Sequence, residues 1–310
     1  MGKVTVIGSY IVALVIDTDR LPVEGETITG RNYHSTHGGK GSNMACSAAR
    51  LQAESVFMGK AGKDSFGEEF VALLKKEGVN KQGVLFSDNL PTGVGFIVSS
   101  SKGTNIIIID IGANGDFSPE DIESNRNIIM SSDVILSPLE IPLETALAAA
   151  KIAKGKGIKS IINPAPAVDL RGVDLSDVFA ITPNEVEGRV CMGLLPTDPI
   201  SDEDLAKSLL DLGVENVMLT LGAKGVMWAS KNGLKAIPAL KVDVVDSVGA
   251  GDAFNAGLAV GLSENMSVID SIVLGVTTAS LSTQKRETIE SYPYRLEVNN
   301  RIKELLDILK

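Results

Sequence analysis

The chain is poor in the residues that build most special-purpose sites. It has two cysteines and two histidines in 310 residues. Cys46 and Cys191 lie far apart in apolar, helix-like stretches. They offer no disulfide framework and read as buried free thiols of a reducing cytoplasm. His34 and His37 have no cysteine or acidic cluster beside them, which argues against a metal centre. Positive charge is in deficit: 29 Lys and Arg against 39 Asp and Glu leave a formal net charge of −10. No basic stripe is present to neutralise a nucleic-acid backbone. No apolar run approaches the roughly 20 residues that span a membrane. Met1-Gly2-Lys3-Val4 enters a strand with no signal-peptide pattern. Aromatics are only 4% and hydrophobic residues 44%, so the core is aliphatic and large enough for one α/β domain over residues 1–310.

What the chain does have is alternation. Strand patterns at Val4–Gly8, Val56–Met58, Val134–Leu136, Ser160–Asn163, Val178–Ile181 and Val217–Thr220 are interleaved with helical ones. The helical patterns run over Met44–Leu51, Ser65–Lys76, Pro119–Met130, Leu143–Lys154, from near Asn184, and over Asp202–Leu212. Such spacing implies a mostly parallel sheet covered on both faces, with ligands at the carboxyl ends of its strands. Ile11–Asp17, Thr27–His37 and the pair Thr92–Ser100 and Thr104–Ile109, hinged at Lys102-Gly103, are strands with no helix between them. They predict a small β lid, from about residues 10–37 and 92–110, inserted over the site.

The densest chemistry lies in Asp246-Ser247-Val248-Gly249-Ala250-Gly251-Asp252, a glycine loop between a β-branched run that predicts a strand (Val242–Val245) and a helical pattern (Ala253–Leu262). Glycines permit positive φ and close backbone approach, and the free N–H groups that open a helix attract anions. Asp252 there is either a helix cap or a base acting on a hydroxyl beside a bound phosphate. Asn184 and Glu187 have the i, i+3 spacing of a capping box, which is equally the spacing of two side chains on one helical face.

Gly38-Gly39-Lys40-Gly41-Ser42-Asn43, Thr182-Pro183-Asn184-Glu185-Val186-Glu187 and Asp246 to Asp252, in this order, resemble the signatures of the ribokinase-like (PfkB) carbohydrate kinase family. The similarity runs through Pro22 to Thr27, Gly112-Ala113-Asn114, Asn163 to Ala167 and Thr220 to Gly225, and within the family it is nearest to the ribokinases. The resemblance implies a three-layer α/β fold, a doubly wound mostly parallel sheet with a β-sheet lid. It also implies ATP-dependent transfer of the γ-phosphoryl group to the primary hydroxyl of a small sugar, ribose or a relative. Asp252 matches the family's base, and Gly249, Ala250 and Gly251 its anion hole. Gly39, Lys40, Asn43 and Glu140 match sugar-binding positions. Thr220, Gly222 and Gly225, with Asn184, match nucleotide-binding ones. Asn184 and Glu187 match the motif that organises Mg²⁺ through water. Asp246 matches the acid of a monovalent-cation site, so K⁺ activation is expected. A homodimer formed through the lid is expected too, with Ile106–Ile109 as either its contact or a buried strand.

The chain departs from the family in two places. Ile11 and Ala13 stand where ribokinases carry an Asn and an Asp that grip sugar hydroxyls, and neither side chain can hydrogen-bond. An unpaired buried hydroxyl costs about 1–3 kcal/mol, so losing both partners weakens ribose by about two orders of magnitude. Tyr10, Asp17 or Asp19 could supply a replacement hydroxyl or carboxylate. In Lys285-Arg286-Glu287-Thr288-Ile289, Glu287 replaces a glycine of the cation loop. Two further readings therefore stand beside a sugar kinase: a nucleoside kinase, and a sugar- or nucleotide-sensing protein without turnover. A nicotinamide dehydrogenase is disfavoured because no G-x-G-x-x-G follows the first strand.

Overall fold

Runs of consecutive apolar residues, rather than alternating ones, mark strands buried on both faces. In the computed structural model, which describes residues 1–101 and 104–309, β1 (Lys3–Ile7) is such a run, buried except at Lys3. The chain then makes β2 (Ile11–Thr18) and β3 (Arg31–Gly38) before α1 (Lys40–Arg50), β4 (Glu54–Gly62), α2 (Ser65–Lys76) and β5 (Asn80–Ser87). The hairpin strands β6 (Gly93–Ser100) and β7 (Asn105–Asp110) follow. After them come α3 (Pro119–Ser124), α4 (Arg126–Met130), β8 (Val134–Pro138), α5 (Leu143–Lys154), β9 (Lys159–Asn163) and β10 (Ala180–Ile181). The last part holds α6 (Glu185–Cys191), α7 (Asp202–Leu210), β11 (Asn216–Thr220), β12 (Val226–Ser230) and β13 (Gly233–Ile237). Helices α8 (Ala250–Ser263), α9 (Val268–Ser282) and α10 (Arg295–Ile308) complete it.

The large sheet has nine strands in the order β13-β12-β11-β10-β9-β8-β1-β4-β5. It is parallel from β11 to β5, and β12 and β13 add an antiparallel edge. One face packs on α1, α2, α8, α9 and α10 through Met44, Phe70, Leu258, Ile272 and Val298. The other packs on the helices from α3 to α7 through Ile122, Ile129, Ala149 and Leu205. The chain runs outward from β1 to β4 and β5, then returns to place β8 on the other side of β1. The strand order therefore reverses between β1 and β8, and that switch point is where such sheets bind ligands.

Strands β3-β2-β6-β7 form a separate sheet, with β2 parallel to β6 and the outer pairs antiparallel. Asn114 fastens its root: Oδ1 accepts from Tyr10 N and Nδ2 donates to Tyr10 O, each at 2.9 Å. Ile106–Ile109 on edge strand β7 are 39–64% exposed, so this run is not the buried strand that four isoleucines suggest. The expected Lys102-Gly103 hinge lies outside the described residues.

Elsewhere the structure corrects the sequence pattern. Helix α1 starts at Lys40 rather than Met44, which puts Lys40 and Asn43 in its first turn. The helix expected over Pro119–Met130 breaks at Asn125, whose side chain donates to the Asp121 carbonyl. Val242–Val245 is not a strand. Strands β5, β12 and β13 and helices α9 and α10 add to the pattern. Buried on most sides, α9 has little amphipathic period to read.

Candidate active site

The turn before α8 is built to hold negative charge. Asp246 Oδ1 accepts from Val248 N (3.0 Å) and the Ala250 amide donates to Ser247 O (3.2 Å). Gly249, at φ 78° and ψ −1°, has the angles of the third residue of a type II turn. Helix α8 begins at Ala250, so the amides of Gly251 and Asp252 have no acceptor within the helix and sit at its positive end. The cap of α8 is Gly249, not Asp252, which removes the helix-cap reading of Asp252.

Asp252 is 4% exposed. Its Oδ2 accepts from Asn43 Nδ2 at 2.8 Å, and Lys40 Nζ lies 3.9 Å from Oδ1. Burial raises the carboxyl above its ordinary range, against the opposing pull of Lys40 and Asn43. The Asp252 carboxylate in turn raises the Lys40 ammonium, which stays charged. A buried carboxylate held by one amide and one ammonium, with its proton affinity raised, is chemically able to take a proton from a neighbouring hydroxyl.

A second knot spans the switch point itself. Ser9, just past β1, donates to Glu140 Oε2, just past β8, across 131 residues of sequence. The same oxygen accepts the Lys40 amide (2.8 Å), and the Gly41 amide donates to Ser9 Oγ (3.3 Å). Glu140 is 9% exposed and its carboxyl is raised by burial, with Ser9 and Lys40 opposing. One of its oxygens is thus spent on seating α1. Two glycines permit this approach. A Cβ on Gly41 would meet Ser9 N at 2.3 Å, and one on Gly39 (φ 89°) would meet Ile11 N at 2.7 Å.

A third chain of hydrogen bonds links strand ends to the anion turn. Asn163 Nδ2 donates to Thr182 O (2.9 Å), Thr182 Oγ1 to Asn255 Oδ1 (2.7 Å), and Asn255 Nδ2 to Gly251 O (2.9 Å). Neither Ser9 nor Asn255 stands out in the sequence. The only signals were the place of Ser9 at the end of β1 and the i+4 spacing of Asn255 from Gly251.

Asn184 caps α6, its Oδ1 accepting from the amides of Val186 (2.9 Å) and Glu187 (2.8 Å). Asn184 N donates in turn to Glu187 Oε2, which closes the capping box. Burial raises the Glu187 carboxyl against that bond, and Lys40 and Asp252 are near enough to act on it. Thr220, at the end of β11, bridges to Asn184 and ties its amide to Pro183 O (2.9 Å). Gly222 faces open space, while a Cβ on Gly225 would meet Ile237 O at 2.0 Å. Among the described residues no three His, Cys, Asp or Glu side chains could hold a metal together. Glu187 offers one carboxylate oxygen that capping does not use, which suits a Mg²⁺ carried mainly by water and phosphate oxygens.

The structure thus brings Gly39, Lys40, Asn43, Glu140, Gly249–Asp252 and Glu187 to one edge of the sheet. Asn184, Thr220, Gly222 and Gly225 lie on the neighbouring strand ends. Asp246 sits at the entrance of the turn. Behind it, Thr283 O accepts the amides of Val245 (2.8 Å) and Asp246 (3.1 Å), and Glu287 of the same loop sits at φ 69°.

The chain is 40% identical over 310 residues to a ribokinase of Lactococcus lactis, covering 98% of each. A deoxyribokinase of Salmonella typhi is 34% identical over 296 residues, covering 94% of this chain and 95% of its own. The solved structure of Arabidopsis thaliana ribokinase complexed with ribose and ATP superposes with a TM-score of 0.88 at 29% identity, over 97% of this chain and 99% of that one. The family model described as pfkB family carbohydrate kinase matches residues 1–295. With the switch-point geometry and the ordered glycine motifs in agreement, the chain belongs to the pfkB family of carbohydrate kinases.

Proposed function

We propose that the chain transfers the γ-phosphoryl group of ATP to the primary hydroxyl of a small sugar, with ribose as the first candidate. The observation that carries this reading is the buried Asp252 carboxylate beside the free amides at the start of α8. Asp252 takes the hydroxyl proton as the sugar oxygen forms its bond to the γ-phosphorus, and ADP leaves with the electrons of the broken P–O bond. The amides of the Gly249–Gly251 turn stabilise charge on the transferring group. Lys40 and Asn43 hold the base, and with Gly39 and Glu140 they border the sugar. Thr220, Gly222 and Gly225 border the nucleotide. Glu187 and Asn184 would hold, through water, the Mg²⁺ that accompanies ATP, which would supply charge neutralisation. The small sheet serves as a lid that excludes water. Its exposed isoleucines form a homodimer contact, and Asp246 belongs to a K⁺ site.

A second reading, a nucleoside kinase, is favoured by one observation. Directly paired residues share a face of a sheet, and the face that holds Ile11 and Ala13 continues through Gly93 and Gly95 to Ile109. A Cβ on Gly95 would lie 3.7 Å from Ile11 Cγ2 and 3.8 Å from Ile109 Cγ1. From Ile11 and Ala13 through Gly95 to Ile109 that face is apolar, with Thr36 opposite Ala13 as a polar member on β3, and it suits an acceptor with few hydroxyls on that side. The test is ADP release and product mass with ATP and a panel of pentoses, deoxypentoses, hexoses and nucleosides. Absence of any acceptor-dependent ADP would sink the kinase reading in favour of a sensor.

A further inference from the structure

The two faces of the small sheet differ in what covers them. Val12, Leu14 and Val94 on one face pack in or against the core that holds Phe70. Ile11, on the other, is 5% exposed yet belongs to neither hydrophobic core among the described residues. Its backbone lies against Gly39, in the turn that leads to Lys40 and so to Asp252. The face of Ile11 is therefore the one left to meet an acceptor.

Tyr10, Asp17 and Asp19 could restore the hydrogen bonding that Ile11 and Ala13 lack, and all three are committed elsewhere. The Tyr10 ring stacks on Phe70 on the core side (4.1 Å between centroids), and its hydroxyl pairs with His37 Nδ1 at 2.8 Å. Asp17 lies four residues beyond Ala13, about 13 Å along the strand. Its Oδ2 accepts from Asn32 Nδ2 at 3.0 Å, and Asp19, farther out, pairs with Arg31.

Thr36 is placed differently. It pairs directly with Ala13 across β2 and β3, so the two side chains share a face with their Cβ atoms about 5 Å apart. Thr36 is half-buried, and its hydroxyl has no hydrogen-bond partner among the described residues. At most about 14 Å of chain separates it from Lys40. One row farther out, opposite Val15, His34 is exposed and its ring bonds Asn32 O at 3.0 Å.

We propose that Thr36 is a specificity-determining residue. Its hydroxyl makes the hydrogen bond between the small sheet and the acceptor, from β3 rather than from β2. This inference rests on the phosphoryl-transfer reading above. One neutral hydroxyl beside Ala13, Gly95 and Ile109 pairs with one hydroxyl of a sugar and leaves the rest of that side to apolar contact.

The test is Thr36→Val and Thr36→Ser, assayed by ADP release with D-ribose and with 2-deoxy-D-ribose. Valine keeps the size and the strand preference but removes the hydroxyl, whereas serine keeps the hydroxyl. Thr36→Val should lose about tenfold in kcat/KM, chiefly through a higher acceptor KM, and Thr36→Ser should stay within about threefold. Loss with both sugars assigns a hydroxyl that they share, and loss with ribose alone assigns the 2-hydroxyl; either supports the proposal. The MgATP KM and the ligand-free melting temperature should stay those of the wild type, since the hydroxyl has no protein partner to lose. An unchanged acceptor KM in Thr36→Val would overturn the proposal. So would equal losses in the two variants, or a melting temperature that falls with the loss, both of which mark a packing role. A wild type that releases no ADP with either sugar would remove the sugar-kinase reading itself, and this inference with it.

Discussion

Around Asp252 nearly every polar side chain is held by another, whereas the small sheet carries Ile11, Ala13 and Gly95 together on one face. Asn43 holds Asp252, Ser9 and Glu140 hold the start of α1, and Asn163, Thr182 and Asn255 hold the anion turn. The side chains of Ile11, Ala13, Gly95 and Ile109 can neither donate nor accept, and the hydroxyl on that face belongs to Thr36, which pairs with Ala13 from β3. A network of mutually held side chains fixes distances, and phosphoryl transfer is mostly a matter of distances. An apolar face fixes only shape, and shape alone discriminates weakly between acceptors. On the proposed function, the floor around Asp252 would specify the step and the small sheet, as a roof, would choose the acceptor.

The largest break in this contrast should come from the floor. Asp252→Asn keeps the shape and the bond to Asn43 but removes the base, and kcat should fall by about 10²–10⁴ in a coupled ADP assay. Stability should move the other way. Burial raises the folded-state pKa of Asp252, so its stabilising contribution is full below the ordinary aspartate pKa and is lost as pH rises through the raised one. At pH 7 the variant should therefore melt above the wild type, and the difference should shrink on acidification. Activity retained near wild type would mean that the floor has another base.

The roof should answer more modestly. The pair Ile11→Asn and Ala13→Asp restores two hydrogen-bonding side chains. If hydroxyl recognition is what the wild type lacks, ribose kcat/KM should rise by about 10–100-fold. An apolar or nucleoside acceptor should lose a comparable factor. No gain for ribose would show that the small sheet does not select the acceptor. Glu187→Gln lies between floor and nucleotide. Outer-shell carboxylates typically govern metal affinity by about tenfold or more, so the Mg²⁺ concentration giving half-maximal rate should rise about tenfold. An unchanged Mg²⁺ profile would leave Glu187 as a capping residue only.

Legibility in the sequence follows the same division. Helices Ser65–Lys76 and Leu143–Lys154 match their predicted spans because one apolar stripe repeats across three turns. The parallel sheet was legible because its buried strands are short apolar runs between helices. The run Val242–Val245 misled, since β-branched residues favour extended backbone whether or not a neighbouring strand pairs with it. At the site, the glycine motifs and Asp252 are local in sequence and could be read. Ser9 could not, because it takes its meaning from chain far away: Glu140 lies 131 residues from it. Distant partners leave no spacing to recognise.

The smallest effect sharpens the contrast most, because Glu287 is a departure on the floor side. It sits at φ 69° in the loop whose Thr283 carbonyl anchors Val245 and Asp246. A side chain in that region costs about 1–2 kcal/mol. Glycine would relieve this but lose about 0.5–1 kcal/mol through its freer unfolded chain. Glu287→Gly should therefore raise the melting temperature by only about 1–2 °C. The informative readout is rate against K⁺ concentration. If the variant is slightly more stable and its K⁺ profile is that of the wild type, Glu287 is a local substitution and the floor is intact. If K⁺ dependence appears or steepens, the loop behind Asp246 has diverged along with Ile11 and Ala13, and the division between a preserved floor and an altered roof does not hold.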